Sequence, residues 1–330
     1  MGIKFSLLTV VALVLAVFLG VKAAGLQYFF GVIFPYAAIF IFLVGFIYRI
    51  LKWARSPVPF RIPTTAGQQK SLPWIKQNKI DNPSTTAGVV ARMALEVLLF
   101  RSLFRNTKVE LREGPKIAYQ WEKWLWLAGL AFHWSFFIIL VRHLRFFTEP
   151  VPFFVHMTDR LDGFLQVGLP GIYITDLLFL AAVTYLFIRR VVIPQVRYIS
   201  LPADYFPLFL LMALGLTGVL MRYFTKVDVV KVKELALGLV TFQPKVPEGI
   251  GVLFYIHFFL ICTLFAYFPF SKLMHLGGVF LSPTRNLPND SRMKRHINPW
   301  NYPVKVHTYA EYEDHFRDKM IEAGLPVEKE

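Results

Sequence analysis

Cysteine is almost missing from this sequence, and charge is scarce. One cysteine, Cys262, stands among 330 residues. The chain therefore closes no internal disulfide, cannot hold an iron–sulfur cluster by itself, and has no C-x-x-C-H stretch for attaching a c-type haem. Charged residues make up 17% of it, well under the roughly 25% usual for a soluble domain. Acidic residues are the scarcer kind, 21 Asp and Glu against 36 Lys and Arg, for a net charge of +15. These deficits exclude a soluble enzyme, a disordered chain and a disulfide-stapled scaffold.

What is present is apolar. Hydrophobic residues make up 55% of the chain, with 33 Phe, and the mean hydropathy is +0.49. They gather in runs of about twenty, the length that crosses ~30 Å of hydrocarbon at ~1.5 Å per residue. Six runs qualify, at 5–19, 28–48, 124–141, 172–188, 206–221 and 250–270. The expected fold is all-α, an integral membrane protein with six transmembrane helices. Lys4 before the first run and Ala23-Ala24 after it have the look of a signal peptide. A second full-length run follows almost at once, so a helical hairpin over 1–50 fits better.

Orientation follows from Lys and Arg, which collect on the cytoplasmic side. Segment 52–121 holds twelve of them against four Asp and Glu, which assigns it to the cytoplasm. Alternation then puts both termini inside. The stretch between the third and fourth runs falls outside, where Arg160 is outnumbered by Glu149, Asp159 and Asp162. The turn at 189–202 falls inside with Arg189, Arg190 and Arg197. Segment 222–249 is the poorest fit, since it carries several Lys on the outside. The positive excess reflects topology and the anionic lipids of a cell membrane. Nothing in it suggests nucleic acid.

Two regions lie outside the bilayer. Pro57, Pro59, Pro63, Pro73 and Pro83 keep 56–83 irregular. Ser84-Thr85-Thr86 then starts a helix whose apolar face is Val89, Val90, Met93, Val97, Phe100 and Phe104, punctuated by Arg92, Glu96, Arg101 and Arg105. It is too charged to span and too apolar to float, so an interfacial amphipathic helix is expected within the cytoplasmic loop 51–121. The membrane core follows at 122–276. The tail, 277–330, carries eight Lys and Arg and eight Asp and Glu and lacks the apolar content for a core. Its Trp300, Tyr302, Tyr309, Tyr312 and Phe316 suit a docking arm for a cytoplasmic partner.

Eight histidines are present. His156, His296, His307 and His315 fall in loops or tail and read as solvated. His133 and His143 lie on the third run, His257 and His275 on or beside the sixth. Ionisable groups in hydrocarbon are costly and usually face a cofactor, a partner or a water path. Eighteen residues are five turns at about 100° each, which puts His257 and His275 on one helix side. His133 and His143 are about 15 Å apart along the axis and rotated by about 80°. Antiparallel helices then pair His143 with His257 near the outer face and His133 with His275 near the inner face. The axial distances disagree, about 27 Å against about 15 Å; Pro269 and Gly277-Gly278 offer a kink and a helix end to absorb part of this.

Paired imidazoles from facing helices, without thiolate or carboxylate, suit low-spin b-type haem: both axial positions are filled, which favours electron transfer over oxygen chemistry. Zinc or copper would want three or four ligands at one depth. Two haem b groups are expected. Arg142 and Arg145 beside His143, and Lys272 beside His275, would pair with haem propionates or else act as ordinary interfacial anchors. Two other classes stay open: a transporter or proton channel using intramembrane His, which the scarcity of Asp and Glu in the spans disfavours, Asp176 being the main exception, and a haem-free membrane anchor.

The His spacings of ten and eighteen, with Phe268-Pro269-Phe270-Ser271-Lys272-Leu273-Met274-His275, resemble the dihaem cytochrome b, or gamma, subunit of respiratory nitrate reductase. The N-terminal span pair, the Pro-rich loop and Ala91-Arg92-Met93-Ala94-Leu95-Glu96-Val97-Leu98-Leu99-Phe100-Arg101-Ser102-Leu103-Phe104 are more similar to one branch. Its members are membrane cytochrome b subunits of heterodisulfide-reductase-like, menaquinol-oxidising complexes tied to sulfite reduction. The resemblance covers essentially the whole chain. It implies a dihaem core of four or five helices plus an N-terminal span, with menaquinol oxidised at the outer haem. Electrons would pass by the inner haem to a cytoplasmic iron–sulfur, heterodisulfide-reductase-like subunit, with further membrane and periplasmic electron-transfer subunits in the complex. A quinone-reducing subunit of the same fold differs only in direction. In the nitrate reductase subunit a lysine after the outer ligand helps bind quinol; here none stands between His143 and Lys226.

Quinol oxidation releases two protons and needs polar acceptors with a route to water. The dense polar group after His143 is Arg142, Arg145, His156, Asp159, Arg160 and Asp162, across a turn containing Pro150 and Pro152. For any one of these, a solvated interfacial charge is the plain alternative. As a set they make Asp159 or Asp162 the expected proton acceptor and Arg145 a propionate or quinol contact. The topology has its own check. Protease on the cytoplasmic side of sealed vesicles should cut 52–121 and the tail; cleavage of the tail from outside reverses the orientation.

Overall fold

A computed structural model describes residues 2–57, 74, 76–114, 116–290 and 305–329. Pro59, Pro63, Pro73, His296, Trp300 and Tyr302, all singled out above, lie outside these residues. The first two helices are α1 (Gly2–Lys22) and α2 (Phe34–Ala54), the latter entered through a π-helical turn at Phe29–Ile33. Their outer surfaces are unusually greasy: Phe5, Leu8 and Phe40 are each about two-thirds exposed, at 65%, 66% and 67%. Such a surface suits hydrocarbon and not water.

Next comes α3 (Thr86–Leu99), started by the Thr85 hydroxyl, which accepts the Gly88 N–H. The single helix expected through Phe104 does not form. Phe100 adopts a left-handed conformation, φ 50°, and only a short α4 (Arg101–Phe104) follows. The Glu96 carboxylate accepts the Ser102 N–H at this corner. Segment 107–121, expected as plain loop, forms the hairpin β1 (Thr107–Arg112) and β2 (Lys116–Trp121). Thr107, Val109 and Leu111 lie opposite Trp121, Tyr119 and Ile117. That alternation puts every large apolar residue of the hairpin on one face.

The membrane core begins with α5 (Lys123–His143), continued by a 3-10 turn, Leu144–Phe146. A helix, α6 (Phe153–Phe164), follows Pro152 where a loop was expected. It turns Val155 and Asp162 inward and Phe153, Met157, Leu161 and Phe164 outward. A two-residue pair, β3 (Gln166–Val167) and β4 (Ile172–Tyr173), leads into α7 (Ile174–Val192). Then come α8 (Pro194–Ile199), α9 (Pro202–Val219) with a π-helical end at Leu220–Thr225, and α10 (Val229–Val240), which lies within the expected loop 222–249. The last long helix is α11 (Val252–Tyr267).

Among the described residues, five stretches are long and apolar enough to cross a membrane: Gly2–Lys22, Phe29–Ala54, Lys123–Phe146, Pro202–Thr225 and Val252–Phe270. This is a multi-pass membrane protein. The remaining expected span is α7, which has 19 residues but carries Asp176 in its first turn and Arg189 and Arg190 in its last. It nevertheless packs lengthwise between α5 and α9, while α11 packs on α9, α1 and α2. The core is their shared interior, including Val17, Val183, Leu210, Tyr255 and Leu260. The contact of α5 with α7 is extensive; α5 and α11, by contrast, do not pack closely backbone to backbone.

The expectation for the sixth run is overturned as well. His257 and His275 do not share a helix, because α11 ends at Tyr267. Pro269 removes an N–H and crowds the preceding turn, and the chain continues as a 3-10 turn, Phe268–Phe270. Ser271 is then extended (φ −114°, ψ 175°), and its hydroxyl accepts the Leu273 N–H. A second 3-10 turn, Lys272–Met274, leads to α12 (His275–Gly278). Gly45 lets α2 approach this break: a Cβ there would lie 2.8 Å from the Cβ of Pro269.

The tail is not a plain arm. Its first part, including α13 (Pro283–Asn286), packs on α3. There the buried Arg92 donates to the Thr284 carbonyl and the Asn289 N–H donates to the Pro83 carbonyl. Further on, α14 (Tyr309–Glu322) starts with a reciprocal cap between Thr308 and Glu311. Glu313 is fully buried, accepting the N–H groups of Glu328 and Lys329 and a bond from Arg317.

Candidate functional site

The four histidines meet across the space between α5 and the α11–α12 arm. The His143 and His257 rings have centroids 6.4 Å apart with planes 21° from parallel. Those of His133 and His275 are 5.8 Å apart and nearly perpendicular, at 89°. The break after Tyr267 makes the second pair possible, since it removes the axial mismatch that a continuous helix would impose.

Each ring is oriented through Nδ1. In His133 and His143 this atom lies 2.7 Å from the carbonyls of Gly129 and Ile139, one turn back on α5. In His275 it lies 3.0 Å from the Lys272 carbonyl. Carbonyls only accept, so these three nitrogens carry the proton and Nε2 keeps its lone pair. His257 differs, with Nδ1 2.8 Å from the Thr217 hydroxyl of α9. That hydroxyl already donates to the Ala213 carbonyl at 2.7 Å, so it accepts from His257. In all four rings the hydrogen-bond partners therefore favour a proton on Nδ1.

This donor set fits a haem-type group: two imidazoles of each pair face each other from separate elements at 5.8 and 6.4 Å, each fixed through Nδ1, and would hold such a group between them. Among the described residues no three His, Cys, Asp or Glu side chains converge, so the imidazoles are left as pairs. Phe100 and Phe132 pack their rings against His133, each at 4.9 Å.

Beside His143 lies a buried ionic cluster. Arg142 Nη1 is 2.8 Å from Asp162 Oδ2 and Nη2 is 2.5 Å from Asp176 Oδ1. Thr175 donates to Asp162, and Tyr223 donates to Asp176, both at 2.6 Å. Oδ1 of Asp162 is buried without a hydrogen bond. A more open pair adjoins it, Arg145 with Asp159 at 3.2 Å, and Arg222 approaches the same carboxylate at 3.8 Å. Both Arg142 and Arg222 lie against the Tyr173 ring, at 4.8 and 4.3 Å. At the His275 end, Lys272 pairs with the buried Asp204 at 2.7 Å.

Comparison with known proteins places this arrangement. Residues 88–290 match the profile of the nitrate reductase gamma subunit. The chain belongs to the nitrate reductase gamma family. A protein of Archaeoglobus fulgidus named Hdr-like menaquinol oxidoreductase cytochrome b-like subunit is 48% identical over 279 residues, covering 82% of this chain and 83% of its own. Its namesake in Archaeoglobus profundus is 46% identical over 274 residues, covering 81% of each chain. The stretch matched by the gamma profile contains all four paired histidines.

In this gamma-family chain, then, His133 meets His275 and His143 meets His257. Asp162 joins Arg142, Asp159 joins Arg145, and Lys272 joins Asp204. His156 and Arg160 stay apart from these, lining a groove along α6 with Phe153, Met157 and Leu161. The polar groups not anticipated are Tyr173, Thr175, Thr217, Arg222, Tyr223 and Asp204. Asp176 stood out in the sequence as an acid inside a span, though its partner did not. Replacing Arg142 with Ala should leave two buried carboxylates without a cation, at a cost of about 3–5 kcal/mol. Thermal unfolding in detergent would show this as a large drop in midpoint, partly recovered by adding Asp162→Asn and Asp176→Asn. An unchanged midpoint in Arg142→Ala would mean that the cluster contributes little.

Proposed function

We propose that this chain is the membrane cytochrome b subunit of a menaquinol-oxidising complex. It would hold two b haems, one between His143 and His257 near the outer face and one between His133 and His275 near the inner face. The observation that carries this reading is the double pairing: four imidazoles from two arms of the fold, meeting two by two, with every Nδ1 engaged by a partner in the protein. Held between such pairs, a haem would supply one-electron transfer. The names of the relatives support a subunit of a menaquinol oxidoreductase, and in this reading menaquinol is the reductant. In the same reading the electrons go to a heterodisulfide-reductase-like, iron–sulfur acceptor on the cytoplasmic side, in anaerobic sulfur respiration, since Cys262 cannot hold a cluster for that role. In this reading α7 completes six spans and both termini are cytoplasmic. The 51–121 loop and the 277–330 tail face the acceptor.

The residues around His143 then take defined parts. The backbone carbonyls of α5 hold its imidazoles in the Nδ1–H form. Asp176, bonded by Arg142 and Tyr223, serves as the fixed counter-ion of Arg142. Asp162, with a free oxygen, and Asp159, in the more open pair, are the acceptors for protons released from quinol. Arg145 orients Asp159 and contacts quinol or a haem carboxylate.

A dithionite-reduced spectrum of the purified chain is expected to show two b haems. His143→Ala should remove one and spare the other; if both haems persist, the pairing is wrong. For proton transfer, Asp159→Asn and Asp162→Asn should slow haem reduction by quinol while dithionite still reduces both haems. Normal quinol rates in both variants would place the acceptor elsewhere around the outer pair.

A further inference from the structure

His257 is held differently from the other three paired histidines. They donate to main-chain carbonyls of their own segment, which no side-chain substitution removes. His257 instead meets a side chain on a different helix, Thr217 of α9 at 2.8 Å, with the Leu214 carbonyl of α9 as a second, weaker acceptor beside it. The hydroxyl is fixed before it meets the ring: its proton goes to the Ala213 carbonyl at 2.7 Å, with a longer approach to the Leu214 carbonyl at 3.1 Å. What it presents to Nδ1 is therefore a lone pair. Next to it, Gly218 offers bare backbone to the imidazole edge, where a Cβ would stand 3.4 Å from Cε1. α9 thus supplies both the acceptor that orients this ring and the surface it lies on.

From this geometry we infer that Thr217 is a positioning residue for the outer haem, selecting the His257 tautomer whose Nε2 faces His143 and setting the electron-donating strength of that ligand. The inference rests on the haem reading proposed above. An acceptor on Nδ1–H makes an imidazole a more basic ligand. A more basic ligand favours ferric over ferrous iron, so loss of the acceptor should raise the potential of the outer haem. The inner haem has no bond to Thr217 and should not respond.

The test is a potentiometric titration of the full chain in membranes, followed by its reduced-minus-oxidised spectrum. Thr217→Val keeps the shape and removes the lone pair. It should retain two b haems, with one midpoint moved upward and the other unchanged, while Thr217→Ser should keep both at their original values. If Thr217→Val leaves both midpoints where they were, the inference is overturned. Should Thr217→Val lose the outer haem altogether, the serine variant decides: recovery of the haem supports the hydroxyl, and failure to recover it assigns the effect to methyl packing and overturns the inference. His257→Ala separates this from the broader reading. If both haems survive that change, the ligand assignment itself fails, whatever Thr217 does.

Discussion

A guanidinium buried between two carboxylates organises the end of the core where His143 lies. In a hydrocarbon environment an unpaired ion is costly, so Arg142 can sit where it does only because α6 brings Asp162 and α7 brings Asp176. The same bond ties α5 to α7 at one end. At the other, Glu122 just ahead of α5 pairs with Arg189 in the last turn of α7. Two antiparallel helices clamped at both ends give His133 and His143 a rigid support. The clamp also explains why α7 looks less like a span than its neighbours: the charges that lower its hydropathy are the ones that fasten it.

The paired histidines obey the same economy on their Nδ1 side. Each Nδ1 has a partner inside the protein, so none of these ring nitrogens is left without a hydrogen bond. The rings meet in the space that α5 and α11 leave between them. Close packing of those helices would have closed that space, and it is their wider separation that gives the imidazole pairs somewhere to meet.

Much of this was legible because it depends on residue type and spacing. Twenty-residue apolar runs announce spans, and ionisable residues at fixed intervals inside them announce a site. The ten-residue step from His133 to His143 could be converted to a rise and a rotation because α5 is regular. The eighteen-residue step could not, since Pro269 signals that a helix is disturbed without saying where the chain goes next. The hairpin at 107–121 had its signal, strict alternation from Val109 to Leu111 and from Ile117 to Trp121, but lay in a region judged by charge. Thr217 had none. One hydroxyl among many becomes special only when α9 sets it against an imidazole from forty residues away.

The interruption after Tyr267 has an evolutionary side. On an unbroken helix, inserting or deleting one residue between two ligands swings the second by about 100°, so the interval of ten on α5 is fixed. Between His257 and His275 the chain stops, extends through Ser271 and restarts, and such a joint absorbs length changes that a regular helix cannot. The interval of eighteen is therefore set by the joint and not by a helical repeat, and its value carries no information about which helix face either ligand occupies.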